Sequence, residues 1–379
     1  MRIGVDGACW TNARGYGRFL REIVAALAQV DRDNSYVIFL DSRKAAAAPW
    51  RAPFEPRLVE TSAAVDTAAG SGGRRSIPDV LRMGRAVARE SLDLFFFPTV
   101  YSYFPLWKRA PMVLGIHDTM AARNPDLAFD SPWNSMLWRA KDRLALAQSN
   151  AILTVSEHSR RSIVEHYGRP PESVHVVHES AAPIFKPELG SAKQDYVFYA
   201  GGISPNKNLT TLIRAFELSN AKSDNTRLKI AGDYLGDAFK SSYGDLRAQL
   251  SDSPCRERVD FLGHVSDSDL VKLYQQARVF VMPSLDEGFG LPAVEAMACG
   301  APVIVSRGHA LEEVVGGAGL TADPARAEQF ADQIDKVLGS DQVASDLSRK
   351  SLARAQQFSW TRAAQELLRV FEVVARLKQ

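Results

Sequence analysis

The amino-acid sequence predicts an α/β protein of two lobes, each a parallel β-sheet covered by helices on both faces. Three observations predict it. Short apolar, β-branched runs alternate with longer stretches of helical periodicity, as expected for strands buried on both faces. That alternation occurs in two series, separated by a segment of little periodicity. A chain of 379 residues also exceeds what one hydrophobic core ordinarily supports.

In the first series the strands are expected at 2–6, 36–40, 94–97, 112–116, 151–155 and 174–177, with helices in most of the gaps. The stretch 43–76 contains four consecutive alanines and the tract GSGGRR, so it is expected to form an excursion with a short strand near Leu58. The second series places strands at 196–200, 228–231, 259–262, 279–282 and 302–305. The domain reading is an N-terminal lobe over 1–182, a linker over 183–195 carrying Pro183 and Pro187, and a C-terminal lobe over 196–357. The remainder, 358–379, reads as an amphipathic helix capped by Ser359, with apolar residues at Trp360, Ala364, Leu367, Leu368, Phe371 and Val374.

Composition excludes several classes. Lys+Arg total 46 against Asp+Glu 44, and a net charge of +2 is too small to indicate a nucleic-acid partner. Cys9, Cys255 and Cys299 are odd in number and lack metal-ligand spacing, which argues against a disulfide framework or a zinc site. The start, MRIGVDGACW, lacks the basic and apolar regions of a signal peptide, and no stretch approaches the ~18 apolar residues of a membrane span. A reducing cytoplasm is the expected setting, and any membrane contact is expected to be peripheral.

The segment MPSLDEGFGLPAVEAMACGAPVIVS, 282–306, reads as strand, loop, helix and strand. Pro292 suits the first helical turn and Gly300 the stop after it. Gly288 and Gly290 lie in the loop before the helix, where backbone N–H groups and the helix dipole favour an anion such as phosphate. Glu295 is the only charged residue among 292–299, so both faces of its helix look buried. A buried carboxylate needs donors. The two hydroxyls of a ribose would supply them, with Glu287 holding hydroxyls of a sugar; an internal ion pair or a role opposite the helix dipole would serve Glu295 equally.

Four more segments carry chemistry. In TNARGYGRFL, Gly15 and Gly17 follow the first strand and let backbone approach a phosphate, although an ordinary strand-to-helix turn reads the same way. In YVFYAGGISPNKNLTTLIRAF, Lys207 sits in a polar loop before a helix starting near Leu209, from where an ammonium can reach a diphosphate. In MVLGIHDTM, His117 and Asp118 end a strand at the edge where parallel sheets place ligands. Asp118 would orient the histidine or cap the following turn. In ILTVSEHSRRSI, Ser156 is placed as a helix N-cap with Glu157, Ser159 and Arg160 in the first turn.

With its two glutamates eight positions apart, EGFGLPAVE resembles the E-x7-E motif of retaining nucleotide-sugar glycosyltransferases, specifically glycosyltransferase family 4. The four other segments resemble that family's pattern in order, so the likeness covers nearly the whole chain. It implies a GT-B architecture: two Rossmann-like lobes facing across a cleft, donor held mainly by the second, acceptor by the first, and the last helix crossing back to the first lobe. It also implies a catalytic set of His117, Lys207 and Glu287. The donor would be bound by Gly15, Gly17, Asn206, Lys207, Glu287, Gly288, Phe289, Gly290, Leu291 and Glu295, with Arg18, Asp118 and Arg160 on the acceptor side. Members generally need no metal or other cofactor. Two positions depart from the pattern: Asn206 stands where the family usually has Arg, and Arg307 where it often has Asn.

The implied reaction transfers a hexose from a nucleoside-diphosphate sugar to a glycan or lipid-linked acceptor in polysaccharide or glycoconjugate synthesis. The GxGR form of the N-terminal loop favours GDP-mannose over UDP sugars. Arg82, Arg85 and Arg89 fall near one face of a helix and Trp133 and Trp138 lie in another, which allows the first lobe to rest on the inner face of an anionic membrane; solvated helix faces are the plainer reading of the same residues, since the basic segment lacks a strong apolar face. A GT-B nucleotide-sugar epimerase and a non-catalytic nucleotide-sugar-binding protein are the competing readings.

Overall fold

The protein is represented by a computed structural model that describes residues 1–12, 15–62, 76–107, 110–129, 131–188, 190, 192–219, 225–233 and 241–376. The GSGGRR tract lies outside these residues. The chain divides into two units: Met1–Arg123, Ser131–Glu179 and Trp360–Gln379 form the first, and Asn124–Asp130 with Ser180–Ser359 the second.

The first unit is built on seven parallel strands: β1 (Arg2–Asp6), β2 (Ser35–Leu40), β3 (Phe54–Leu58), β4 (Leu94–Phe97), β5 (Met112–Gly115), β6 (Ala151–Thr154) and β7 (Val174–Val176). Their order is β3-β2-β1-β4-β5-β6-β7. The strand expected near Leu58 is β3. Strands β4 to β6 are buried at every residue, because both sheet faces are covered, so the sequence shows runs rather than alternation. One face packs on helix Gly15–Val30 and on the terminal helix Trp360–Arg376. The terminal helix buries Trp360, Ala363, Ala364, Leu367, Val370, Phe371 and Val374, a spacing of three and four that makes one stripe. Its Phe371 ring meets Phe96 at 5.4 Å and its Trp360 ring meets Phe19 at 5.9 Å. Each such side chain contributes about 1.5–3 kcal/mol by burial. The last helix therefore returns to the first unit, as expected.

The second unit has six parallel strands: β8 (Gln194–Ala200), β9 (Arg227–Ala231), β10 (Val259–Gly263), β11 (Ala277–Met282), β12 (Val303–Ser306) and β13 (Leu320–Ala322), in the order β10-β9-β8-β11-β12-β13. The first five match the expected strands. Strand β13 is new; its three residues follow GGAG and are too few to show periodicity.

In each sheet the strand order turns back on itself once, between β1 and β4 and between β8 and β11. A parallel sheet opens a crevice at the carboxyl ends of the strands flanking such a point. All three cysteines are free and buried. Among the described residues, no helix is long and apolar enough to cross a membrane.

Candidate active site

The second unit assembles its chemistry at the β8/β11 switch point. After β8 the chain makes a tight turn over Pro205–Lys207, and Asn208 adopts a left-handed conformation, φ 57°. Asn tolerates that region better than other non-glycine residues. The Asn208 Nδ2 donates to the Pro283 carbonyl at 3.0 Å and to the Pro324 carbonyl at 2.8 Å, tying this turn to the loops that follow β11 and β13. The Leu285 N–H donates to the Asn206 carbonyl at 2.8 Å, a second clamp on the same two loops. The result is that Lys207 Nζ lies 2.7 Å from Glu287 Oε1, with the two side chains 19% and 12% exposed. Asn206 itself is buried, and its Oδ1 accepts from Ser204 Oγ at 2.6 Å.

Downstream, Gly290 caps helix Leu291–Ala298 in a left-handed conformation, φ 101°, and contributes no side-chain cap bond. A Cβ at Gly290 would lie 2.3 Å from Leu311 Cδ2, so sterics and backbone conformation both demand glycine. The Gly288–Gly290 loop thus leads into a helix N-terminus without a side-chain cap, which favours an anion. Phe289 and Leu291, expected to touch the donor, are buried; the Phe289 ring packs edge-on against Phe358 at 5.5 Å and so anchors the loop.

Glu295 is buried as expected, and its Oε2 accepts a hydrogen bond from Tyr274 Oη at 3.2 Å. Tyr274 is fully buried among the rings of Phe185, Phe198 and Phe280. This carboxylate thus has a donor within the protein, a neutral hydroxyl rather than the ligand, ion pair or helix dipole to which the sequence pointed. The neighbouring Cys299 thiol is pushed up to about 12 by burial and by the charge of Glu295, which makes it unreactive. Arg307 is exposed, and its Nε reaches Thr321 Oγ1 at 3.5 Å.

In the first unit, His117 follows β5 and is buried. Its Nε2 donates to the Pro98 carbonyl at 3.0 Å, just beyond β4, and its Nδ1 lies 3.2 Å from Glu179 Oε1. Both partners offer acceptor oxygens, so the arrangement favours an imidazole that donates from both ring nitrogens, the charged form. Burial opposes that charge, but the Glu179 carboxylate and the Pro98 carbonyl outweigh it and raise the pKa. Tyr16 and Phe19 present ring contacts to the imidazole at 5.2 and 4.8 Å. With both ring nitrogens engaged, His117 is placed to offer positive charge rather than to accept a proton. Asp118 caps the following turn: its Oδ1 accepts from Met120 N at 2.9 Å and turns the chain into the next helix; its charge also helps to raise the His117 pKa.

The glycine loop divides its labour. A Cβ on Gly17 would lie 2.0 Å from the Asn12 carbonyl, so this glycine is required for the helix to pack on the preceding turn, which Arg21 Nη1 also holds through the Trp10 and Asn12 carbonyls. Gly15 has open space around its Cα and is exposed, and Arg18 lies half-buried in the same first turn. Ser156 caps helix Glu157–Tyr167, and Ser159 Oγ donates to the His117 carbonyl at 2.9 Å. Arg160 is directed elsewhere: it meets Glu157 at 3.3 Å and the Pro171 carbonyl at 3.1 Å. It lines a shallow cavity of about 370 Å³ with His175, Glu366 and Arg369, and His117 is not among the lining residues.

Glu179, Tyr274 and Asn208 were not singled out from the sequence. Asn208 alone left a signal, a helix-initiating Asn directly after Lys207.

These features define a two-lobed glycosyltransferase fold, and family models agree. The Glycosyltransferase Family 4 model matches residues 13–180 and the model of Glycosyl transferases group 1 matches residues 182–354, so the two matches together take in most of the chain. The chain belongs to the family 4-like glycosyltransferases. It is 33% identical over 242 residues to the O-antigen chain mannosyltransferase B of Escherichia coli, covering 61% of this chain and 62% of that one. It is 30% identical over 271 residues to the D-inositol 3-phosphate glycosyltransferase of Mycolicibacterium smegmatis, covering 68% of this chain and 61% of the relative. Both matches span less than two thirds of the relative's length. Among solved structures, sucrose-phosphate synthase from Thermosynechococcus elongatus superposes with a TM-score of 0.78 at 17% identity, covering 99% of each chain. WaaG, a glycosyltransferase involved in lipopolysaccharide biosynthesis, gives a TM-score of 0.73 at 14% identity, covering 97% of this chain and 98% of its own. These likenesses show the GT-B fold.

Proposed function

We propose that this glycosyltransferase moves a hexose, with mannose as the first choice and GDP-mannose as donor, to a glycan or lipid-linked acceptor, retaining the anomeric configuration. The observation that carries the proposal is the Lys207–Glu287 pair at the β8/β11 switch point, clamped by Asn208 and accompanied by a helix N-terminus without a side-chain cap. The chemical difficulty in such a transfer is negative charge growing on the departing diphosphate as the glycosidic bond breaks. Lys207 and the N–H groups around Gly290 and Leu291 are the groups to stabilise it, which is electrostatic preorganisation. Glu287, freed from Lys207 when the diphosphate arrives, takes hydroxyls of the sugar, and Glu295 takes those of the ribose.

No nucleophile is assigned. The acceptor hydroxyl attacks from the face the diphosphate leaves, and its proton passes to a phosphate oxygen. Charge neutralisation by side chains and backbone makes a metal unnecessary in this reading. Mannose is favoured by the similarity to a mannosyltransferase and by the GxGR loop. The setting we assign is the cytoplasm, at the inner face of the membrane.

A thermal-shift panel of nucleotide sugars tests the donor. A ligand at ~100 times its dissociation constant stabilises by about 2.7 kcal/mol, so GDP-mannose should raise the midpoint and UDP sugars should not. The α-configured product formed in the presence of a chelator supports the mechanism. Product of inverted configuration, or transfer abolished by chelation, would overturn it.

A further inference from the structure

Helix Pro132–Gln148 of the first unit is amphipathic in the unusual sense. At about 100° per residue, Trp133, Met136, Leu137, Ala140, Leu144 and Ala147 fall within one arc of about 100°, and all six are exposed. Leu144 is 57% exposed, Trp133 52% and Met136 49%. The opposite face is the one that packs: Asp142 and Ala145 are buried there. A surface helix normally turns this much apolar surface to the core, so the outward stripe needs an occupant.

Charge indicates which occupant. The only carboxylate in the helix, Asp142, points inward and accepts from Tyr167 Oη at 3.0 Å. The charged exposed residues beside the stripe are Arg139 and Arg143. His166, packed near this flank, has its pKa lowered by burial and then by Arg123 and Arg139, so the guanidinium groups of Arg123 and Arg139 both lie near this edge. On the other flank Lys141 is held inward, its Nζ 3.6 Å over the Trp138 ring and donating to the Tyr101 carbonyl at 3.2 Å. Trp138 is accordingly part of the support and not of the stripe. A second copy of the chain meeting this face would set arginine against arginine. An anionic lipid surface complements it: the apolar arc enters the acyl boundary and the arginines meet headgroup phosphates.

We propose that the outer face of helix Pro132–Gln148 is a docking surface for anionic lipid bilayers. It assigns a surface to the membrane setting proposed above and rests on that setting, but not on the transfer chemistry. The test uses the full chain without donor or acceptor, so its outcome and that of the donor assays are independent. Co-sedimentation is measured with phosphatidylcholine vesicles, with and without phosphatidylglycerol. Binding is expected only where the anionic lipid is present. Replacing Arg139 and Arg143 by Glu should weaken partitioning by at least about twenty-fold, since each basic residue near such a surface contributes about five-fold. The pair Leu137→Glu and Leu144→Glu should also abolish it. These positions are exposed, so unfolding midpoints should match wild type. No binding to anionic vesicles, equal binding to both kinds, or variants that bind as wild type overturn the proposal. So does a dimer that dissociates on the leucine substitutions, which would make the stripe a self-interface.

Discussion

Replacing Lys207 by Met separates the two roles assigned to the Lys207–Glu287 pair. The ammonium is 2.7 Å from Glu287 in the free protein and only 19% exposed, so it is already desolvated and held in place before a donor arrives. A charge-assisted hydrogen bond to a phosphate oxygen contributes about 1.5–3 kcal/mol, which corresponds to about 10- to 150-fold in dissociation constant. Isothermal titration with the nucleoside diphosphate and with its sugar conjugate reads both roles. Lys207→Met should weaken both ligands by that factor, because the missing charge faces the diphosphate they share. Glu287→Gln should weaken the sugar conjugate and leave the diphosphate unchanged or slightly tighter, because it releases the lysine while losing an acceptor for sugar hydroxyls. In the double variant the diphosphate should bind as it does to Lys207→Met. If Lys207→Met binds both ligands within about twofold of wild type, a difference below 0.5 kcal/mol, the electrostatic reasoning fails.

Three further outcomes are expected. The raised pKa of His117 gives the folded state a contribution that is complete below the unfolded value near 6.5 and fades as pH rises through the folded value; in Glu179→Gln, where burial is left to dominate, this slope should vanish or change sign, and NMR titration of the ring should show a lower pKa than in wild type. Tyr274→Phe removes a donor from buried Glu295 and should cost about 1–3 kcal/mol in denaturant unfolding; an unchanged midpoint would mean that bond contributes nothing. Gly17→Ala drives a Cβ against the Asn12 carbonyl and should destabilise by about 1–3 kcal/mol, whereas Gly15→Ala, with open space around it, should stay within about 0.5 kcal/mol; equal effects at the two sites would contradict the division described for this loop.

The strands were legible because buried parallel strands are written as contiguous runs such as LFFF in β4, and runs survive without knowledge of partners. Strand β13 was not, since three residues beside glycines carry no period and are held by pairing with β12. The same distinction governs the site. Lys207, Glu287 and Gly290 announce themselves through local spacing and turn chemistry. Glu179 and Tyr274 act across long sequence separations on His117 and Glu295, and nothing local marks a Glu after β7 or a Tyr in a helix as the partner of either. Trp133 and Trp138 looked equivalent by composition; only packing shows that one faces water and the other supports Lys141.

The terminal helix has a consequence for how the chain is made. Phe19 and Trp360, which touch in the first unit, lie far apart in the sequence, and the whole second unit is encoded between them. During synthesis the second unit has all its residues before the first has helix Trp360–Arg376, so the apolar face over β1 and β4 stays uncovered until that helix has been made. A ribosome stalled before Trp360 would hold a finished second unit beside an incomplete first one, sensitive to protease and ready for a chaperone.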